Sequence, residues 1–508
     1  MPAHAPERAR PPERGRLPDA PIEPAGVAEQ PGTRKGYRTL LRNPLFRRLW
    51  IAQIISQTIN NAANYGMVVL VATQTGSVTA TGGAIVAFSL PAALFGAPAG
   101  VLVDRFEKRS VLLASNILRA IATVGFAIAL FIDKNDLVPV YALTFVIALV
   151  GQFFAPAEGA AIPLLVDKEE LVNALALFNI TFTLAQAAGL ILVGPLVITL
   201  LPTLRLGSLL HQTVELSSKQ SLFLLVGVLY LVCALLIATI PRARLRNRVR
   251  QPRASRAAAQ GQQLRGIWAS LVESWTFTRR RRPLLAAVLQ LSLGSIIVSV
   301  IAEIAPKFVQ IFFNKPAEFA MLAFIPAGAG LVLGSALIPR VMTAIPNRST
   351  LIRAGVLMLA LTMALLATVH WTAKQLDPSG WWLSWTYLGI MLALTFILGL
   401  SLNLVGTPAQ TTMQELAPDW IKGRVLALQG MLFNAATVPS VFLVGVAADV
   451  LGLPTAMVVL AGLILLAGLA TVRYAGPPVV EGLRGQVAAP EGAVPSGQLS
   501  GRAPSRPR

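Results

Sequence analysis

Long apolar runs alternate with short polar segments along the 508-residue chain. A helix needs about 20 mainly apolar residues to cross the hydrocarbon core of a bilayer, and most of the runs are that long. The pattern predicts an all-α membrane protein with twelve transmembrane helices. The predicted spans are residues 49–72, 83–103, 110–132, 138–165, 171–201, 221–240, 284–312, 318–339, 350–370, 383–413, 424–451 and 453–474.

The polar segments outside the spans predict the domain organisation. Two tails rich in Pro, Gly, Ala and Arg bury too little apolar surface to order themselves. The predicted regions are a disordered tail (1–36), a six-helix half (37–240), a basic linker (241–282), a second six-helix half (283–475) and a second disordered tail (476–508).

Two segments beside the spans have an amphipathic pattern. One is the lead-in from Tyr37 to Trp50, and the other lies in the linker. On one helical face of the linker are Leu264, Ile267, Trp268, Leu271 and Trp275. Each segment fits either a helix in the headgroup region or an extension of the next span.

Charge is scarce and unevenly placed. Charged residues make up 13% of the chain, against roughly 25% in soluble domains, so most side chains face lipid. The net charge of +20 comes from 43 Lys and Arg, most of them in the tails, the linker and the loops after even-numbered spans. The opposite loops contain only Lys134, Arg205, Lys219, Lys315 and Lys374. The positive-inside rule then predicts a multi-pass protein of the cell membrane with both termini cytoplasmic, and no nucleic-acid partner.

The two halves share short motifs in the same order, which predicts a duplicated, pseudo-symmetric architecture. The matched pairs are Asn43-Pro44-Leu45 with Arg282-Pro283-Leu284, Pro156-Ala157-Glu158 with Pro408-Ala409-Gln410, and Leu192-Val193-Gly194 with Leu443-Val444-Gly445.

The segment from Gly100 to Arg109, GVLVDRFEKR, follows span two. Anchoring at the membrane edge explains its bases but not Asp104, because a carboxylate at that depth needs a partner. The segment resembles the signature between spans two and three of the major facilitator superfamily, with Glu107 in place of the signature's later Gly. Together with RNPLFR before span one, it is similar to the enterobactin-exporter and macrolide-efflux branch of that superfamily.

This resemblance implies the major facilitator fold and secondary active transport of a small molecule by alternating access. It also implies that Asp104 and Arg105, with Gly100 and Arg109 beside them, latch the halves together in one state. We extend the predicted latch to Glu158, near the end of span four. The expected activity is export of an amphipathic drug, macrolide or siderophore-like molecule, with proton exchange left open.

Span five contains Gly189 and Gly194-Pro195, which partly resemble the antiporter signature of the same span. Leu196 and Val197 stand where that signature has a further Gly pair. Helix packing and kinking explain the glycines equally well.

Neutral polar residues occur near the middle of several spans, where they are costly facing lipid and should point into the bundle. They either line a substrate cavity or join helices through hydrogen bonds. The predicted cavity residues are Asn60, Asn61, Asn64, Gln152, Gln186, Gln290, Asn403 and Asn434.

Glu303, in span seven, is the candidate for proton coupling. Lys307 follows one helical turn later, so an ion pair between the two is the alternative interpretation. No phosphate-binding loop or cysteine pair is present. We therefore expect no enzyme activity, cofactor, metal or nucleotide, and only the bilayer, a small molecule and a proton as partners. A passive facilitator or lipid-handling transporter, or a non-transporting receptor or scaffold, remain alternatives.

Overall fold

The computed structural model describes residues 37–103, 106–133, 136–200, 204–209, 212–245, 272–345 and 347–475. Its long helical segments follow the predicted spans in order. They are α1 (Pro44–Thr75), α2 (Val78–Val103), α3 (Lys108–Ile132), α4 (Val138–Leu165), α5 (Leu171–Leu200), α6 (Ser218–Ala238), α7 (Arg282–Phe312), α8 (Met321–Ala344), α9 (Arg348–Leu376), α10 (Trp385–Leu416), α11 (Asp419–Leu451) and α12 (Leu453–Ala475).

Within the described ranges, eleven of these helices are long and apolar enough to span a membrane. The exception is α1, which is long enough but interrupted by polar residues. These are Gln53, Ser56, Gln57, Asn60, Asn61 and Asn64. The membrane protein is thus confirmed as helical, while the count of twelve spans stays a prediction that depends on α1.

A hairpin between α5 and α6 was not predicted from the sequence. Strand β1 (Leu204–Leu209) pairs antiparallel with β2 (Gln212–Leu216). Polar and apolar residues alternate in β2, a period-two pattern that fits a strand. The pattern is too short to stand out beside helical runs of more than 20 residues.

The start of α1 is fixed by a side-chain cap. The Asn43 side-chain oxygen accepts hydrogen bonds from the backbone N–H groups of Leu45 (3.0 Å) and Phe46 (3.3 Å). Pro44, which has no N–H, occupies the first turn of the helix, where none is needed. The Tyr37 to Trp50 lead-in is therefore a short helix, Tyr37–Arg42, followed by an extension of α1.

Most of the predicted amphipathic part of the linker lies outside the described residues. Residues 272–280 form a helix that packs against the second half. Ser274 and Thr278 are fully buried, and Arg424 of α11 donates from Nη1 to Glu273 at 2.7 Å. This helix is therefore held by protein contacts.

The same helix pairs pack in both halves. In the first half α2 packs on α4, α3 on α4 and α6, and α1 on α6. In the second half the corresponding pairs are α8 on α10, α9 on α10 and α12, and α7 on α12. The halves meet through α2 with α11 and α5 with α8. This arrangement is the pseudo-symmetry that the repeated motifs predicted.

The apolar core differs between the two ends of the bundle. We call the end where α1 begins and α12 finishes the terminal end, and the opposite end the distal end. At the distal end one apolar cluster includes both halves, with Tyr65 and Leu70 beside Phe308 and Met457. At the terminal end each half has its own cluster. The halves are therefore joined at the distal end and separate at the terminal end.

Candidate functional site

Hydrogen bonds between the halves follow the same division. Hydrogen bonds that join described residues of the two halves lie at the distal end. The candidate site is accordingly the closed distal interface, where α2 meets α7 and α11.

Asp449, near the end of α11, caps the first turn of α2 from the opposite half. Its carboxylate accepts from the Ser77 hydroxyl (2.5 Å), the Val78 N–H (2.8 Å), the Thr79 N–H (2.9 Å) and the Thr79 hydroxyl (2.7 Å). A carboxylate at a helix N-terminus satisfies donors that the helix leaves unpaired and interacts favourably with its dipole. The role of Asp449 could not be predicted from the sequence, because its partners belong to a distant part of the chain.

Three further contacts join the halves at the distal end. Lys307 donates from Nζ to the Gly76 carbonyl at 2.8 Å. The Tyr65 hydroxyl donates to the Glu318 backbone carbonyl at 2.6 Å, and Lys219 Nζ lies 3.3 Å from Glu318 Oε1. The proposed pairing of Lys307 with Glu303 is therefore not the arrangement found, since Lys307 bonds across to the first half.

Glu303 lies one helical turn deeper than Lys307, enclosed between α2 and α11. It is 1% exposed, and neither carboxyl oxygen has a hydrogen-bond partner. Gly82 and Gly445 make room for it, and a Cβ on Gly445 would lie 2.7 Å from Glu303 Oε1. A buried carboxyl without partners is costly when ionised, so this position is unusual for a purely structural residue.

An apolar layer separates Glu303 from the middle of the bundle. Ile85, Val300 and Val441 come from α2, α7 and α11, and form one buried cluster. Each lies about one turn further from the distal end than Gly82, Glu303 and Gly445 respectively. The distal interface thus has three layers: the polar contacts, the Glu303 carboxyl and this apolar layer.

The predicted terminal-end latch is only partly described. Asp104 and Arg105 lie outside the described residues. Gly100, near the end of α2, has nothing within 4 Å of the position a Cβ would take. Arg109 donates from Nη2 to the Ala238 carbonyl at 2.6 Å. These placements fit a terminal end at which the halves are apart.

Glu158 faces Arg119, a residue that the sequence analysis left unassigned inside span three. Both side chains are buried, and Glu158 Oε1 has no hydrogen-bond partner. The Arg119 Cζ lies 4.9 Å from the ring centroid of Phe154 and 5.6 Å from that of Tyr230. An arginine in the middle of an apolar run was the sequence signal that could have identified it.

Gly151 makes this position possible, because a Cβ there would lie 2.7 Å from Arg119 Nη2. Arg119 also donates from Nη1 to the Ser56 hydroxyl at 3.4 Å. The guanidinium therefore connects α3 with α1, α4 and α6 inside the first half.

Six of the eight predicted cavity amides fall into two groups. Three bond to the carbonyl one turn earlier in their own helix and so do not join helices: Asn61, Gln152 and Asn434. Three are linked to another helix: Asn60 accepts from Tyr230, Gln290 donates to Thr471, and Asn403 donates to the Leu331 carbonyl. Asn64 is half-buried and Gln186 is exposed.

The glycines of span five pack against α1. A Cβ on Gly189 would lie 2.8 Å from the Asn61 Cβ, and one on Gly194 would lie 3.0 Å from Tyr65. Between them the helix widens into a π-helical stretch, Ala188–Val193, just before Pro195. Such a widening accommodates the missing N–H and the ring of a proline, so packing explains this motif.

Comparisons with known proteins agree with this architecture. The profile of the Major Facilitator Superfamily matches residues 49–389. The chain is similar to macrolide efflux protein A of Streptococcus pyogenes, with 22% identity over 414 residues that cover 80% of this chain and 90% of that protein. It is also similar to the uncharacterized MFS-type transporter YfiS of Bacillus subtilis, with 23% identity over 393 residues that cover 76% and 82% of the two chains.

Two solved structures share the fold. The nucleoside transporter NupG matches with a TM-score of 0.62 at 13% identity, covering 85% of this chain and 100% of that chain. A bacterial homologue of the human lysosomal transporter Spinster, in an inward-facing and unoccupied conformation, matches with a TM-score of 0.59 at 14% identity, covering 85% and 97%. These identities bear on the fold and not on the substrate.

Proposed function

Because the chain belongs to the major facilitator superfamily, we propose that this transporter is a secondary active exporter of a small amphipathic molecule, driven by exchange for protons. The observation that supports the proposal best is the difference between the two ends of the bundle. Among the described residues, the halves share a core and hydrogen bonds at the distal end, and have separate cores at the terminal end.

Alternating access requires a second state in which the distal end opens and the terminal end closes. The proposed latch of that second state is Gly100, Asp104, Arg105, Arg109 and Glu158. In the structure Glu158 faces Arg119 instead, so its part in the latch would need a rearrangement inside the first half.

The substrate class follows from the mid-depth residues. Asn61, Gln152 and Asn434 offer neutral amide groups that do not join helices, and the surrounding helices are mainly apolar. Apolar surface with a few neutral polar groups suits a lipophilic molecule with hydrogen-bonding groups. Export agrees with the similarity to macrolide efflux protein A.

Efflux of a fluorescent amphipathic dye from cells, with and without a protonophore, tests this function. An exporter coupled to protons extrudes the dye against its gradient and stops when the protonophore is added. Uphill efflux that continues in the presence of the protonophore would show that protons do not drive export. Downhill flux alone would indicate a passive facilitator, and no flux would indicate a receptor or scaffold.

A further inference from the structure

The distal end contains a carboxyl group that the contacts between the halves leave without a partner. We propose that Glu303 and Asp449 form a proton-dependent gate there, which closes when Glu303 takes up a proton from the distal side and Asp449 caps α2. The inference rests on the proposed transport by alternating access, and adds which residues hold the closed end and from which side the proton arrives.

Closing the gate encloses Glu303 completely. Its two oxygens have no hydrogen-bond partner, and its neighbours are Gly82 on one helix and Gly445 on another. A charge held there would be desolvated and unpaired, which is strongly disfavoured. The closed end therefore holds Glu303 as the neutral acid.

Among the described residues, no Lys or Arg side chain bonds to the Glu303 carboxyl. Helix α2 has no charged residue between Val78 and Val103. On the other segments packed on α7, the charged groups near the distal end are Asp449 and Glu318, both acidic. Glu318 is paired with Lys219, and Lys315, which follows α7, is exposed. Lys307, on α7 itself, donates to the Gly76 carbonyl. Asp449, one helical turn from Gly445 on α11, thus favours protonation of Glu303 too.

The layers on either side of Glu303 set the route of the proton. Ile85, Val300 and Val441 close the way to the middle of the bundle. Toward the distal surface lie the polar contacts of Asp449 and Lys307, beside Val78 and Ala448 of the shared apolar cluster, and the Asp449 side chain is exposed. Separation of those contacts opens Glu303 to the distal solution, where it ionises or is protonated again.

Entry of the proton from the distal side agrees with proton-driven export. If the distal end faces the cell exterior, as the predicted topology has it, Glu303 is loaded from outside after the substrate has left. Its protonation then favours return to the state that opens toward the cytoplasm. Release of the proton on the inner side is a later step, which the gate does not specify.

Pulsed EPR distances across the distal end test the gate. Labels go on cysteines replacing Ile132, at the end of α3, and Trp385, at the start of α10, in a Cys233→Ala background. These two side chains are 80% and 84% exposed and belong to opposite halves. As the pH rises, Glu303 ionises in the open state. For one proton, the ratio of the closed to the open population should then fall by up to about tenfold per pH unit.

Two variants separate the two roles. Glu303→Gln mimics the neutral acid and should stay closed at every pH. Asp449→Ala should lower the closed population roughly fivefold to tenfold, as expected for loss of a charged cap, while keeping the response to pH. Asp377→Ala is the control, because Asp377 lies at the same end but accepts only from its own loop, from Ser379 and Gly380.

A Glu303→Gln protein that still opens with rising pH would refute the proton dependence, and an Asp449→Ala protein with wild-type distances would refute the latch. These distances are measured without substrate. A working gate in a protein without flux would therefore count against the proposed transport alone, and normal flux with an unresponsive gate would count against the gate alone.

Discussion

Gly445 shows how closely the halves approach at the level of single residues. The position its Cβ would take lies 2.7 Å from the Cα of Thr79, which belongs to backbone in the other half. Backbone cannot move aside as the end of a flexible side chain can, so a methyl group here must separate α2 from α11.

Gly445→Ala is therefore expected to destabilise the closed distal end by about 1–3 kcal/mol, the usual cost of overpacking. The test is the rate at which a water-soluble maleimide labels a cysteine introduced between the halves at the distal end. This rate should be higher in the variant. Gly462→Ala is the control, because nothing lies within 4 Å of that Cβ position. Unchanged labelling in Gly445→Ala would show that the interface is looser than described.

Arg119 and Glu158 are buried in the same region of the first half without a direct ion pair, and Glu158 Oε1 has no hydrogen-bond partner. Arg119→Met should lower the free energy of unfolding by about 1–3 kcal/mol. It removes the hydrogen bond to Ser56, the contacts with the rings of Phe154 and Tyr230, and the positive charge nearest the buried carboxyl. Adding Glu158→Gln should restore part of that loss. Thermal melting in detergent measures both effects, with exposed Arg340→Met as the control. Strictly additive losses would mean that the two residues act independently.

Asp104 belongs to the proposed latch of the opposite end. Asp104→Asn should reduce transport at least tenfold through loss of a charged contact in the second state, with normal insertion into the membrane. Asp136→Asn is a matched control, since Asp136 accepts only from Val138 at the start of its own helix. Full dye efflux by Asp104→Asn would remove Asp104 from the latch.

Caps and prolines determine where individual helices begin. Asn43 caps α1 and also donates from Nδ2 to the Leu165 carbonyl at 2.8 Å, whereas Asn347 caps α9 through Ser349 alone. Asn43→Ala should therefore cost about 1–2 kcal/mol, and Asn347→Ala about 1 kcal/mol. Melting temperatures of the two variants test whether Asn43→Ala is the more destabilising. Equal losses would mean that the bond to Leu165 contributes nothing.

The elements could largely be predicted from the sequence, because a bilayer imposes one length on every span. Lys108–Ile132 and Val138–Leu165 agree with the predicted spans to within two residues. The π-helical stretch and the β1–β2 hairpin were missed. The first depends on packing of Gly189 against α1, and the second on pairing between short segments, and neither leaves a periodic signal.

The site was harder to predict than the fold, for reasons that particular residues make clear. Glu303 stood out as a carboxyl in an apolar run, and the structure places it in the interface between the halves. Asp449 did not stand out, because a carboxylate at a span end is ordinary until its partners are known. Gln290 stood out as polar, but no pattern distinguishes a cavity residue from one that joins α7 to α12.

At the scale of the whole molecule, the two ends of the bundle are expected to move as one system. The halves have separate cores at the terminal end and a common core at the distal end. Rocking of rigid halves would exchange these roles, since packed cores switch between discrete arrangements and do not deform continuously.

A paired distance measurement tests this claim most directly. One label pair spans the distal end, at Ile132 and Trp385, and a second spans the terminal end, at Val172 and Ile345, all four being exposed. When Asp449→Ala opens the distal end, the terminal distance should shorten in the same sample. The fraction of molecules with the shortened terminal distance should be similar to the fraction with the open distal end. A terminal distance that stays constant, or lengthens together with the distal one, would contradict alternating access.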